Sequence, residues 1–136
     1  MVTLRVAVAT DDGVSLMDRH FGDAGFFEVF DVHPDGCEAL CRVLNDTEEE
    51  DGHADPKKAG GIMAILGSHG VQVAVSRFFG PNIKRIRKRF VCVLTRHRDV
   101  TGCLDQIRAH LMLVATEWDN GEERGFLDMR AETRQE

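Results

Sequence analysis

A chain of 136 residues with 43% hydrophobic and 29% charged residues can bury one core without disulfide staples, which excludes a disordered, fibrous or disulfide-scaffolded protein. The formal net charge of -6 argues against a general affinity for nucleic acid. The short apolar start, MVTLRVAVATDDG, neither spans a bilayer nor carries a signal-peptide pattern, so a cytoplasmic protein with no membrane partner is expected.

Leu4 to Ala9, LRVAVA, is nearly continuous in apolar character, as for a strand covered on both faces. TDDG at 10–13 ends it, and after an irregular segment FFEVFDV at 26–32 reads as a second strand. The turn His33-Pro34-Asp35-Gly36 leads to a third strand, 37–44, whose alternation predicts Cys37, Ala39, Cys41 and Val43 on one face. An acidic run, DTEEED at 46–51, precedes Asp55-Pro56, an N-cap and first-turn proline that open a helix over 56–69 with Ile62, Met63, Ile65 and Leu66 as its apolar stripe. Val71 to Ser76 is a short strand, Pro81 to Phe90 a basic amphipathic helix, and Val91 to Thr95 a further strand. Asp99 or Thr101 starts a last helix carrying Leu104, Ile107, Leu111 and Met112. Residues 116–136 are charged and aperiodic and read as a flexible tail beyond a single domain over 1–115. The order β-β-β-α-β-α-β-α predicts a mixed α/β sandwich of five strands with helices packed on it.

Three segments carry a family likeness that spans roughly residues 4–112: VAVATDDG at 6–13, HFGDAGFFEVFDV at 20–32 and GHADPKKAGGIMAILGSHGVQVAVSRFFGPNI at 52–83. In this order and spacing they resemble the dinitrogenase iron-molybdenum cofactor biosynthesis family, with its NifX-like, NafY-like and orange-protein-like domains. The resemblance implies a ribonuclease-H-like fold and a non-catalytic role in carrying, storing or delivering a metal-sulfur cluster. The cargo it implies is the iron-molybdenum cofactor or a precursor, or a molybdenum-copper-sulfur cluster. Partners would then be that cluster and a donor or acceptor protein. Where many members have a glycine-rich stretch before Gly-Pro, this chain has Ser76-Arg77-Phe78-Phe79, and the charged tail is not part of the common domain.

Such a cluster needs soft or borderline donors and groups that offset its negative charge. The turn His20-Phe21-Gly22 is the first candidate cofactor-binding site, with His20 as its metal ligand; the alternative is a histidine that bonds Asp18 or Asp23 and fixes the loop. His53, just before the first helix, is the second candidate metal ligand, or else a solvated loop histidine. Arg77 with Gly80-Pro81 at the start of the basic helix forms an anion cradle, or Gly80 serves only a tight turn. His97, between Arg96 and Arg98, can meet an anion at the sheet's carboxyl edge. Met17 is either a thioether donor or a core plug.

Cys37, Cys41, Cys92 and Cys103 match neither a disulfide framework nor paired zinc knuckles. Cys37 and Cys41 are separated by roughly 13 Å along an extended strand, too far to grip one ion, though one of them could touch a cluster; packing is the favoured use of all four thiols. The basic run KRIRKR at 84–89 is either a solvated helix face or, in the alternative function, the docking surface of a regulatory or adaptor domain. An enzyme is not expected: Asp11, Asp12 and Asp31 are the only carboxylates suited to a two-metal nuclease, and neither a nucleophile elbow nor a Walker loop is present.

Overall fold

The computed structural model describes residues 2–45 and 56–133. The elements in chain order are β1 (Leu4–Thr10), β2 (Phe26–His33), β3 (Gly36–Leu44), α1 (Pro56–Ser68), β4 (Val73–Ser76), α2 (Ile83–Ile86), β5 (Val91–Leu94), α3 (Val100–Ala109), α4 (Leu111–Trp118) and β6 (Phe126–Asp128). The strands form one sheet in the order β3-β2-β1-β4-β5-β6. β2 pairs antiparallel with β1 and β3, and the β1-β4, β4-β5 and β5-β6 pairs are parallel.

Continuous apolar character in β1, β4 and β5 follows from their position between two helical layers. On one face Val6, Val8, Val73, Val75, Val91 and Val93 pack under α3 and α4 through Cys103, Leu104, Ile107, Leu111 and Val114. On the other, small residues of the sheet, Ala7, Ala9 and Ala74, leave room for Phe21, Phe27 and Phe90, with Ile62 and Leu66 of α1 above them. Large rings over small strand residues let the layers interdigitate.

Four expectations are corrected. The sheet has six strands rather than five, because the segment read as a tail from residue 116 returns to the sheet as β6, with Arg124 and Met129 buried. Gln106 fastens it: its side-chain oxygen accepts from Thr95 Oγ1 at 2.8 Å and its Nε2 donates to the Met129 carbonyl at 2.9 Å. The basic helix is a single turn, Ile83–Ile86, flanked by turns. The last helix breaks at His110, whose φ of -120° and ψ of 31° leave the helical region, so Met112 points outward at 65% exposure. In β3 a bulge at Leu40 pairs Cys41 with Val29 but Ala39 with Phe30, which puts Cys37 and Cys41 on opposite faces of the sheet.

Candidate functional site at the carboxyl edge of the sheet

Because β1, β4 and β5 run parallel, the segments that follow them emerge at one edge, the usual place for a ligand in an open α/β sheet. The 11–20 loop is held across that edge by its own polar side chains. Asp12 accepts from the Val14 and Ser15 N–H groups at 2.9 and 2.7 Å, and Thr10 Oγ1 donates to the Ser15 carbonyl at 2.6 Å. Gly13 completes the turn at φ 83°, a left-handed conformation that favours glycine. The loop then bonds to the β5-α3 connection, with Leu16 N donating to Arg98 O at 2.9 Å and Val100 N to Val14 O at 2.8 Å.

Further on, the same loop docks on the residues after β4. His20 forms a bridge with Phe78, and Phe21 N donates to Phe78 O at 3.0 Å. The imidazole of His20 lies directly over Gly80: a Cβ there would sit 2.6 Å from His20 Nδ1, so only glycine admits this ring position. Phe21 lies 1% exposed with its ring against Phe27 and Phe79, and Asn45 Nδ2 donates to the carbonyls of Gly22 and Ala24 at 2.9 and 2.8 Å. Phe21 therefore anchors the turn, and its ring points into the core rather than outward as a ligand contact.

Arg77 is the electrostatic centre. Its side chain is only 14% exposed, it pairs with Asp18, and Asp18 also reaches Arg98 Nη1 at 3.7 Å. Its Nε atom is buried and has no hydrogen-bond partner among the described residues. Burial, reinforced by the neighbouring Arg98, pushes the guanidinium below its ordinary value. The other carboxylates at this edge are committed. Arg19, with the Gly25 N–H, holds Asp11 below the usual carboxylate range, while the Ser15 and Val14 N–H groups do the same for Asp12. Asp99 caps α3 by accepting from Gly102 N at 2.9 Å.

Of the residues proposed from sequence, His20, Phe21, Gly22, Arg77, Gly80 and Pro81 meet here. His97 lies on the adjoining connection with Nδ1 against the first turn of α3, 2.8 Å from where a Gly102 Cβ would stand. His53 falls outside the described residues. Of the two readings of Gly80, the geometry is that of a tight turn: Ile83, Lys84 and Arg85 donate to the carbonyls of Gly80, Pro81 and Asn82, and one helical turn has little dipole to offer. Met17 is buried in the core. Among the described residues no group of three or more His, Cys, Asp or Glu is placed to hold a metal ion. Asp31 is bound to Arg5, about 20 Å along the strand from Asp11, so the three carboxylates weighed for a nuclease do not converge. Asn45 and the bridging role of Asp18 were missed, since both act on residues distant in sequence.

The fold defines a mixed α/β domain whose carboxyl edge carries His20, Arg77 and Arg98. Residues 2–109 match the family described as dinitrogenase iron-molybdenum cofactor, and the chain belongs to that family. In fold it is similar to a crystal structure, at 1.70 Å, of a provisionally assigned dinitrogenase from Methanocaldococcus jannaschii. The TM-score is 0.59 at 15% identity, over 80% of this chain and 91% of that one. No curated protein matches the sequence.

Proposed function

We propose that this protein is a non-catalytic cytoplasmic carrier that holds an anionic iron-molybdenum or related metal-sulfur cluster at the carboxyl edge, between the His20 turn and Arg77. The observation that carries the reading is Arg77: a mostly buried guanidinium, beside Arg98, whose Nε has no partner among the described residues. A buried donor without an acceptor costs about 1–3 kcal/mol, and an anionic cargo would recover that cost. His20 offers a borderline nitrogen donor for a cluster metal, and Arg77 and Arg98 offset the charge of its sulfides. Asp18 occupies the guanidinium face that the cargo needs, so the resting ion pair must open as the cargo arrives. A site of one imidazole and two guanidiniums, with no thiolate chelate, grips loosely enough for delivery to an acceptor protein.

The sheet order, with β2 alone opposed to the other strands, supports a ribonuclease-H-like fold. A second reading, docking of an acidic partner, is favoured by the exposed Lys84, Lys88 and Arg89. The test is anaerobic titration of the full chain with iron-molybdenum cofactor and with a molybdenum-copper-sulfur cluster, read by visible absorption and metal analysis. Binding of either that falls at least tenfold in Arg77→Gln supports the carrier; binding of neither overturns it. Capture of a partner by the metal-free chain, lost on charge reversal at Lys84 and Lys88, would favour the second reading.

A further inference from the structure

At the opposite end of β4 from Arg77 lies a second group of reactive side chains. The bulge in β3 turns Cys41 onto the α1 face, and there its Sγ lies 3.8 Å from Nδ1 of His69, in the turn that follows α1. Arg5 fixes this arrangement. Its Nε and Nη2 donate to the two carboxylate oxygens of Asp31 at 2.8 and 3.1 Å, and its Nη1 donates to the His69 carbonyl at 3.1 Å. Through the register Arg5, Asp31 and Cys41 share one face of the sheet, so the Arg5-Asp31 pair borders the thiol and the imidazole. The other thiols lack this setting: Cys92 and Cys103 are buried, and Cys37 is exposed on the far face of the sheet.

We propose that Cys41 and His69 form a thiol-imidazole pair that makes Cys41 a modification site, taking a low-molecular-weight disulfide of the glutathione type as a mixed disulfide. In the step, the Cys41 proton passes to His69 Nδ1 and Sγ attacks one sulfur of the small disulfide. The Cys41–S bond forms as the S–S bond breaks. Cys41 is oxidised, the departing sulfur is reduced, and that thiolate takes the proton back from the imidazolium. Exposure of both side chains gives the reagent access.

Cys37 serves as the internal reference, because it is exposed on the same strand and, among the described residues, makes no contact with an imidazole like that of Cys41. The reduced full chain is treated with glutathione disulfide near pH 7, quenched, and cleaved after Glu38, which separates the two cysteines for mass spectrometry. Cys41 is expected to react about fivefold or more faster than Cys37, and His69→Gln to bring the ratio to about one with the Cys37 rate unchanged. Iodoacetamide alkylation should give the same ordering. Equal rates at Cys37 and Cys41 in the unaltered chain, or a preference for Cys41 that survives His69→Gln, overturns the proposal. Neither readout involves a cluster, so this result and that at Arg77 stand or fall separately.

Discussion

Gly80 and Asp18 each constrain one side chain of the carboxyl edge, His20 and Arg77 respectively. In Gly80→Ala the new methyl group would collide with His20 Nδ1, so the ring must leave its position. The expected outcome is a destabilisation of about 1–3 kcal/mol by thermal or urea unfolding, together with weaker cluster binding. Asp18→Asn removes the carboxylate charge that occupies Arg77 and should tighten cluster binding about tenfold, equivalent to about 1.4 kcal/mol. Direct titration checks it, and an unchanged affinity would mean that Asp18 does not compete. His20 and Arg77 were legible as separate candidates because residue type in an irregular segment is local information. Their meeting through Gly80 and Phe78, some 60 residues away, was not legible, since no periodicity encodes a contact between two loops. The place of the Phe21 ring in the core was not legible for the same reason: only the fold shows that it stacks on Phe79.

Besides Gln106, a buried arginine holds the segment after α4. Arg124 is buried, donates from Nε to Trp118 O at 3.0 Å and from Nη1 to Lys88 O at 2.8 Å, and lies 4.1 Å from the Trp118 ring centroid. Its own carbonyl accepts from Arg87 Nη1 at 2.6 Å, so the basic turn of α2 and the entry to β6 are tied together. Arg124→Ala should cost about 2–3 kcal/mol in urea unfolding, as a charged donor shared between two carbonyls is lost. A charged residue in an aperiodic stretch reads as solvent-exposed, which is why β6 escaped sequence analysis; three residues on a sheet edge carry no pattern of their own. β1, β4 and β5 were legible because their apolar runs report burial directly. The β3 bulge was not, because alternation is blind to one inserted residue and the insertion reverses every later face.

Across the molecule, the two helical layers each enclose a thiol that must stay protonated. Burial pushes Cys92 up to about 12 and raises Cys103 further. Both bind a proton in the folded state that the unfolded chain releases near pH 9, so their contribution is complete below that value and is lost as pH rises towards 12. Stability should therefore fall above about pH 9 by up to about 1.4 kcal/mol per pH unit for each thiol, and Cys103→Ala should flatten the slope in urea unfolding measured from pH 8 to 11. The carboxyl edge lies outside this alkaline response, and its cations keep their charge through the neutral range, which suits the binding of an anion. The central claim concerns that edge. It is tested most directly by titrating the reduced, metal-free full chain anaerobically with iron-molybdenum cofactor and comparing Arg77→Gln with the unaltered protein. A cluster absorption band retained through gel filtration, and lost or weakened at least tenfold in Arg77→Gln, is the predicted result; equal retention by both chains would contradict the account.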